Sequence, residues 1–142
     1  MKIKNKKILI NKINRSLWWH VIPKDSAAYK KRGKFFASTY KQAEFYGKPN
    51  DVPEKIEVLN PICGISEINI LKILFPTNYK KLHASVIDDS KDWYNRRIRL
   101  DSEMYQKAKN MGYDAIVLFG SNSNRCLMKN RKPHSMELNL CK

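Results

Sequence analysis

Three groups of residues with side chains suited to nucleotide chemistry are spread along the chain. The sequence LWWH at residues 17–20 supplies the imidazole of His20, and the sequence GKFFAS at residues 33–38 supplies aromatic rings. A carboxylate, Glu137, follows near the end. An aromatic ring stacks on a flat cationic heterocycle, a carboxylate stabilises positive charge that develops on a sugar, and a histidine hydrogen-bonds sugar hydroxyls. Together these groups suit cleavage of the bond between nicotinamide and ribose in NAD.

Local patterns predict the elements that position the first two groups. Residues 16–22 are rich in β-forming side chains, which predicts a strand that carries His20. Residues 35–38 predict a second, short strand, and Thr39 is placed to cap a helix that ends at Gly47. Trp18 and Trp19 then point to opposite faces of the first strand, so one of them is expected in the core.

The last group lies on a predicted strand with a period of two. Met136, Leu138 and Leu140 alternate with Glu137 and Asn139. Successive side chains of a strand point to opposite faces. Glu137 is therefore predicted on the face opposite the apolar residues.

The remaining elements complete a mixed pattern of strands and helices. Residues 8–10 and 114–119 predict strands, and residues 91–111 predict a long helix that stops at Gly112. Residues 66–74 are ambiguous, although their apolar positions have helical spacing. Strands at both ends of the chain with helices between them predict an α+β fold.

Length and charge limit the class of protein. The 142 residues predict a single domain, and a hydrophobic fraction of 42% is sufficient for a core. The net charge of +15 favours a polyanionic partner, which is a nucleic acid, an acidic protein target or a phosphate-rich ligand. Basic segments at residues 30–34 and 125–132 adjoin the proposed site residues, but a solvated surface explains such runs equally well.

The cysteines and the short apolar runs predict a cytoplasmic location. The three cysteines, an odd number without a close pair, argue against a disulfide framework and against a zinc site. A reducing cytoplasmic setting fits this pattern, and the thiols are expected to be structural. The apolar run at residues 8–10 is too short for a signal peptide, and no stretch of the sequence is long enough to span a bilayer.

The three groups resemble the site motifs of one branch of the ADP-ribosyltransferases, which includes diphtheria toxin and the poly(ADP-ribose) polymerases. Residues 17–20 are similar to the strand with the first active-site histidine, and residues 33–38 to the glycine-aromatic-phenylalanine-alanine segment. Residues 135–138 are similar to the strand with the catalytic glutamate, and residues 105–118 to an element of small bacterial and phage members. The resemblance implies a split antiparallel β-sandwich with flanking helices, with NAD as co-substrate.

The resemblance also implies a role for each site residue. His20 would bind the adenosine ribose and act with Glu137, which would hold the nicotinamide ribose and support the transition state. Phe35 takes the place of the family's central tyrosine, and Tyr46 would stack on nicotinamide. The family has a small residue where this chain has Val21, whose backbone would bond the nicotinamide amide.

Ser38 is open to two interpretations, as a ligand contact or as the start of the helix. A single catalytic glutamate, Glu137, favours mono-ADP-ribosylation of a macromolecular target. The small size and the composition suit a cytoplasmic bacterial or phage effector, which would act in the host cytoplasm if it is delivered there.

Three other interpretations remain open. The first is a basic protein that binds nucleic acid without catalysis, which the charge and interspersed aromatics favour. The second is an enzyme similar to RNA 2′-phosphotransferases, which uses NAD on a phosphorylated RNA. The third is a relative that keeps the fold and binds a partner by shape alone.

Overall fold

A computed structural model describes residues 3–22, 34–46, 48–87, 93–118 and 136–141. The elements confirm the predicted α+β class. The strands are β1 (Leu17–Ile22), β2 (Lys34–Ala37), β3 (Lys48–Pro49), β4 (Glu54–Lys55), β5 (Pro61–Gly64), β6 (Ala115–Leu118) and β7 (Glu137–Leu140). The helices are α1 (Ile3–Arg15), α2 (Tyr40–Tyr46), α3 (Glu67–Leu74), α4 (Tyr79–Ala84) and α5 (Trp93–Asn110).

Strand pairing connects the described strands into one mixed sheet. Its order is β3-β1-β2-β7-β6-β5, and β4 pairs with the first residues of β1. The β5–β6 pair is parallel, and the other pairs are antiparallel. The strand latest in the chain, β7, therefore lies in the middle of the sheet.

The two faces of the sheet are covered by different helices. Phe36, Leu138 and Val117 share one face by register and pack with α1 in one hydrophobic core. Ile62 and Ile116 share the other face and pack in a second core with residues of α3 and α5. Alternating side chains of the central strands thus contribute to two separate cores.

The first helix corrects a sequence prediction. Residues 8–10 were expected in a strand, but they lie within α1. Leu9 and Ile13 are four residues apart on one helix face and pack in the core with Trp18. The indole Nε1 of Trp18 donates a hydrogen bond to the carbonyl oxygen of Ile13 at 2.9 Å. The spacing of Leu9 and Ile13 therefore favours a helix here, because both side chains then pack against the sheet.

The long helix α5 lies within the predicted range and ends as expected. Gly112 has a φ of 90°, a left-handed conformation that glycine adopts without strain. The next amide, that of Tyr113, donates to the carbonyl oxygen of Ala108 at 2.9 Å and so satisfies one of the last carbonyls of the helix. This turn leads the chain directly into β6.

An ion-pair network joins α3 to α5. The guanidinium of Arg97 donates to Glu67 Oε1 at 3.0 Å and to Asp101 Oδ1 at 3.1 Å. Burial alone would lower the pKa of Arg97, but the two carboxylates outweigh it and raise that pKa above its usual value. Within the described ranges, no helix has both the length and the apolar character needed to cross a membrane.

Candidate functional site

The strands that carry the three predicted motifs are neighbours in the sheet. β2 lies between β1 and β7, although these strands are far apart along the chain. Ala37 of β2 is opposite Trp19 of β1 on one side and opposite Glu137 of β7 on the other. Directly opposite residues point to the same face. Trp19, Ala37 and Glu137 therefore form a row across three strands.

Ser38 fixes the position of this row. Its backbone amide donates to the carbonyl oxygen of Met136 at 2.9 Å, and the amide of Met136 donates to Ser38 Oγ at 2.7 Å. These reciprocal bonds join the end of β2 to the start of β7, directly before Glu137. The sequence offered a ligand contact or a helix start for Ser38, and these bonds add a third role, that of holding the two strands in register.

We define the Glu137 face as the surface formed by five side chains, which the register and strand alternation place on one side of the sheet. These side chains are Trp19, Phe35, Ala37, Glu137 and Asn139. Glu137 and Phe35 are half-buried, which leaves both side chains partly accessible to a ligand. The prediction that Glu137 lies opposite the apolar residues of its strand is confirmed, because Met136 and Leu138 belong to the other core.

Two helices, α2 and α5, flank this face. On one side, Ala43 of α2 packs against Ala37 and Trp19, and Trp19 meets Tyr40 edge-on with 5.0 Å between ring centroids. On the other side, α5 packs against β6. Since β7 lies between β2 and β6, Glu137 occupies the strand between these two helical covers.

Asn139 is a buried amide that sequence reasoning did not select. It is only 7% exposed, and its Oδ1 atom has no hydrogen-bond partner within the part of the chain that the structure describes. A buried polar atom without a partner typically costs about 1–3 kcal/mol. Asn139 lies opposite Phe35 and two residues after Glu137 on the same face. The available signal was this spacing, since a residue two positions after the acid must share its face.

His20 does not lie on the Glu137 face, and this corrects the convergence that the sequence predicted. It is opposite Phe36 in the sheet, and the two rings are 5.2 Å apart between centroids. The residue is 5% exposed, and its Nδ1 lies 2.9 Å from the carbonyl oxygen of Phe35. Because a carbonyl oxygen only accepts, Nδ1 carries the proton in this bond. Pairing with Phe36 instead of Phe35 places the imidazole and the Glu137 carboxylate on opposite faces of the sheet.

The two other predicted ligand residues are described in their backbone only. Val21 lies in β1 opposite Pro49 of β3, and its side chain is outside the described part. Tyr46 is the last residue of α2, and its side chain is also outside it. Since α2 packs on the Glu137 face through Ala43, the backbone of Tyr46 belongs to an element that borders this face.

The two described thiols are buried and protonated at neutral pH. Burial raises the pKa of Cys63 to about 11, against a smaller opposite effect of Lys6. Burial, together with the charge of Asp114, raises the pKa of Cys141 to about 12. Because the thiolate is the nucleophilic form, these two cysteines are not activated. Cys126 and the basic segment at 125–132 lie outside the described residues.

Comparison of the chain with protein-family models, with curated proteins and with solved structures found no match. The adjacency of β1, β2 and β7 is the structural fact that bears on function.

Proposed function

We propose that the protein is a mono-ADP-ribosyltransferase that moves ADP-ribose from NAD to a macromolecular target and releases nicotinamide. The observation that carries this proposal is the row of Trp19, Ala37 and Glu137, which joins three motifs that are distant in sequence. In this reaction the bond between ribose C1′ and the nicotinamide nitrogen breaks, and its electron pair leaves with nicotinamide. A nucleophilic atom of the target then bonds to C1′ and loses its proton.

Glu137 is the catalytic residue of the proposal. Positive charge develops on the ribose as nicotinamide leaves, and a carboxylate close to the ring stabilises that charge. Glu137 is half-buried, and the bonds between Ser38 and Met136 hold its strand in place. A positioned carboxylate of this kind has little reorganisation to undergo when the charge appears.

The aromatic and backbone contacts to NAD are assigned to the elements around this carboxylate. Phe35 is half-buried on the Glu137 face and offers an aromatic surface to a flat ligand. Tyr46, at the end of α2, is proposed to stack on nicotinamide, and the backbone of Val21 to bond its amide. The fold that the resemblance implies, an ADP-ribosyltransferase-like split antiparallel sandwich, is part of the same proposal, while the described strands form one mixed sheet in which β7 separates the β1–β2 side from the β5–β6 side.

His20 takes a positioning role in this proposal, in place of the ribose contact that the resemblance implies. Its ring is buried on the α1 side of the sheet, and its bond to the carbonyl of Phe35 ties β1 to β2. It therefore acts on the site by holding Phe35 and its strand in register. Because this role is indirect, a His20→Ala variant that stays folded is expected to weaken NAD binding less than Phe35→Ala does.

Transfer of label from NAD tests the proposal. Wild-type protein is incubated with NAD that is labelled in its adenylate part and with a cell lysate, and both protein and nucleic acid fractions are examined. Label is expected on a target, with an equal amount of nicotinamide released. Both signals are expected to disappear for Glu137→Ala and to remain for Glu103→Ala, which changes an exposed acid on α5.

The second candidate function is binding of nucleic acid without catalysis. The separation of His20 from Glu137 and the net charge of +15 favour it. This candidate predicts that the wild type releases no nicotinamide from NAD and binds nucleic acid in a salt-dependent manner. The same incubation therefore separates the two functions, because only the transferase consumes NAD.

A further inference from the structure

Lysines and aromatic rings lie close together on α3, α4 and α5 and in the turn that joins α3 to α4. The Nζ atoms of Lys72 and Lys80 each lie 6.0 Å from the ring centroid of Tyr79. The Nζ atom of Lys107 lies 5.9 Å from the ring centroid of Phe75. We call these five residues the lysine–aromatic surface.

The rings of this surface are fixed, whereas its cations are exposed. Phe75 and Tyr79 are half-buried and pack against the core beneath α3 and α5. Lys72, Lys80 and Lys107 are exposed. Distances of 5.9–6.0 Å are at the outer limit of a cation–π contact, so these contacts are weak. The ammonium groups are therefore able to leave the rings for a stronger anionic partner.

We propose that the lysine–aromatic surface binds single-stranded nucleic acid. Proteins that bind single strands combine cations that follow the phosphates with aromatic rings on which the bases stack. Here two exposed lysines lie beside the ring of Tyr79 and a third lies beside the ring of Phe75, four residues earlier, which supplies both components on neighbouring helices. A duplex keeps its bases stacked within the helix, so the rings would contribute little to its binding.

This proposal is independent of the transferase chemistry, because its assay contains no NAD. It also differs from binding by net charge alone, and α1 provides the control for that difference. Lys7, Lys12 and Arg15 are exposed on α1, where Lys12 and Arg15 line an open groove of about 460 Å³. Their described contacts include no aromatic ring. Removing these three charges changes the net charge as much as removing the three lysines of the proposed surface.

Fluorescence anisotropy with labelled oligo(U) and oligo(dT) of about 16 nucleotides tests the proposal, across a series of salt concentrations. The variant Lys72→Gln/Lys80→Gln/Lys107→Gln is expected to weaken binding at least about tenfold. The slope of log K against log salt should fall by about 2, since each phosphate contact on a single strand contributes about 0.7. The control variant Lys7→Gln/Lys12→Gln/Arg15→Gln is expected to weaken binding less than about threefold, because it removes only long-range attraction.

A second variant tests the stacking component. Tyr79→Leu keeps an apolar side chain against the core and removes the ring, so its melting temperature shows whether it is folded. It is expected to bind the single strand at least about fivefold more weakly, with an unchanged salt slope. Equal losses for the two charge variants, unchanged binding by Tyr79→Leu, or a duplex bound as tightly as the single strand would each overturn the proposal. The oligo(U) and oligo(dT) arms show whether the single strand is RNA or DNA.

Discussion

The β5–β6 side of the sheet and the β1–β2–β7 side bury their side chains differently. Ile62 and Ile116 pack with apolar residues of α3 and α5, and the charged Arg97 has two carboxylate partners. On the other side, the buried Oδ1 of Asn139 has no hydrogen-bond partner among the described residues. Residues that cost stability without evident compensation are expected at functional sites. The contrast supports our proposal that the functional site lies on β7.

The largest effect is expected for Glu137→Gln, which keeps the shape of the side chain and removes its charge. If the chemistry is on the β7 side of the sheet, the rate of ADP-ribose transfer falls about 10²–10³-fold, because the developing charge on the ribose loses its stabilising carboxylate. The free energy of unfolding should change by no more than about 1 kcal/mol, because the glutamine amide keeps the size of the side chain and its ability to hydrogen-bond. Initial rates of nicotinamide release and urea unfolding measure the two quantities. A variant with wild-type rates would place the chemistry elsewhere.

The buried thiols are expected to react about 100-fold more slowly with iodoacetamide at pH 8 in the folded protein than after unfolding. The reason is that their pKa rises from 9.0 to about 11 or 12 on folding. The measurement uses a Cys126→Ser background, so that only Cys63 and Cys141 report.

The free energy of unfolding should depend on pH through the ionisation of the same two thiols. Above pH 9 the thiols ionise in the unfolded chain but stay protonated in the folded chain. This ionisation stabilises the unfolded state relative to the folded state. The free energy of unfolding should be unaffected by these groups below pH 9 and should fall between pH 9 and 11. Rapid labelling of the folded protein at pH 8 would show that the two thiols are not shielded.

On the β5–β6 side, Arg97→Met is expected to lower the free energy of unfolding by about 2 kcal/mol. The change leaves Glu67 and Asp101, which are 22% and 12% exposed, without their shared cation. Arg99→Met, at an exposed position of the same helix, should cost less than about 0.5 kcal/mol. Transfer activity per folded molecule should stay at the wild-type level for both variants. A loss of activity per folded molecule in Arg97→Met would show that the β5–β6 side takes part in catalysis as well as in stability.

The smallest effect is expected for Asn139→Leu, which should raise the free energy of unfolding by about 1 kcal/mol. A leucine of similar size removes the unpaired buried oxygen. Asn14→Leu is the matched control, since the Asn14 amide makes two hydrogen bonds to the backbone of Val58, at 3.1 and 2.8 Å, and its loss should destabilise the protein. Thermal unfolding of both variants gives the comparison. If Asn139→Leu also unfolds earlier, the amide has a structural role.

Patterns that depend on near neighbours could be predicted from the sequence. The end of α5 at Gly112, the burial of one of the two tryptophans, Trp18, and the position of Glu137 opposite the apolar residues of its strand follow from local spacing and from backbone preference. The strand predicted at residues 8–10 was wrong, because three apolar residues fit a strand as well as one side of a helix.

Properties that depend on strand pairing could not be predicted. A shift of one residue in register moves a side chain to the other face of a sheet. The sequence alone does not specify that His20 pairs with Phe36, and this pairing separates His20 from Glu137. The unpaired state of Asn139 also depends on which residues surround it in three dimensions.

The central place of β7 has a consequence for biosynthesis. A ribosome makes β2 and β6 well before β7, yet in the sheet β7 separates them. Until residues 137–140 emerge, one edge of each of these strands lacks its backbone partner, and such edges invite pairing with other chains. We therefore expect nascent chains to complete their sheet only after residues 137–140 have left the exit tunnel, and to need protection by chaperones until then.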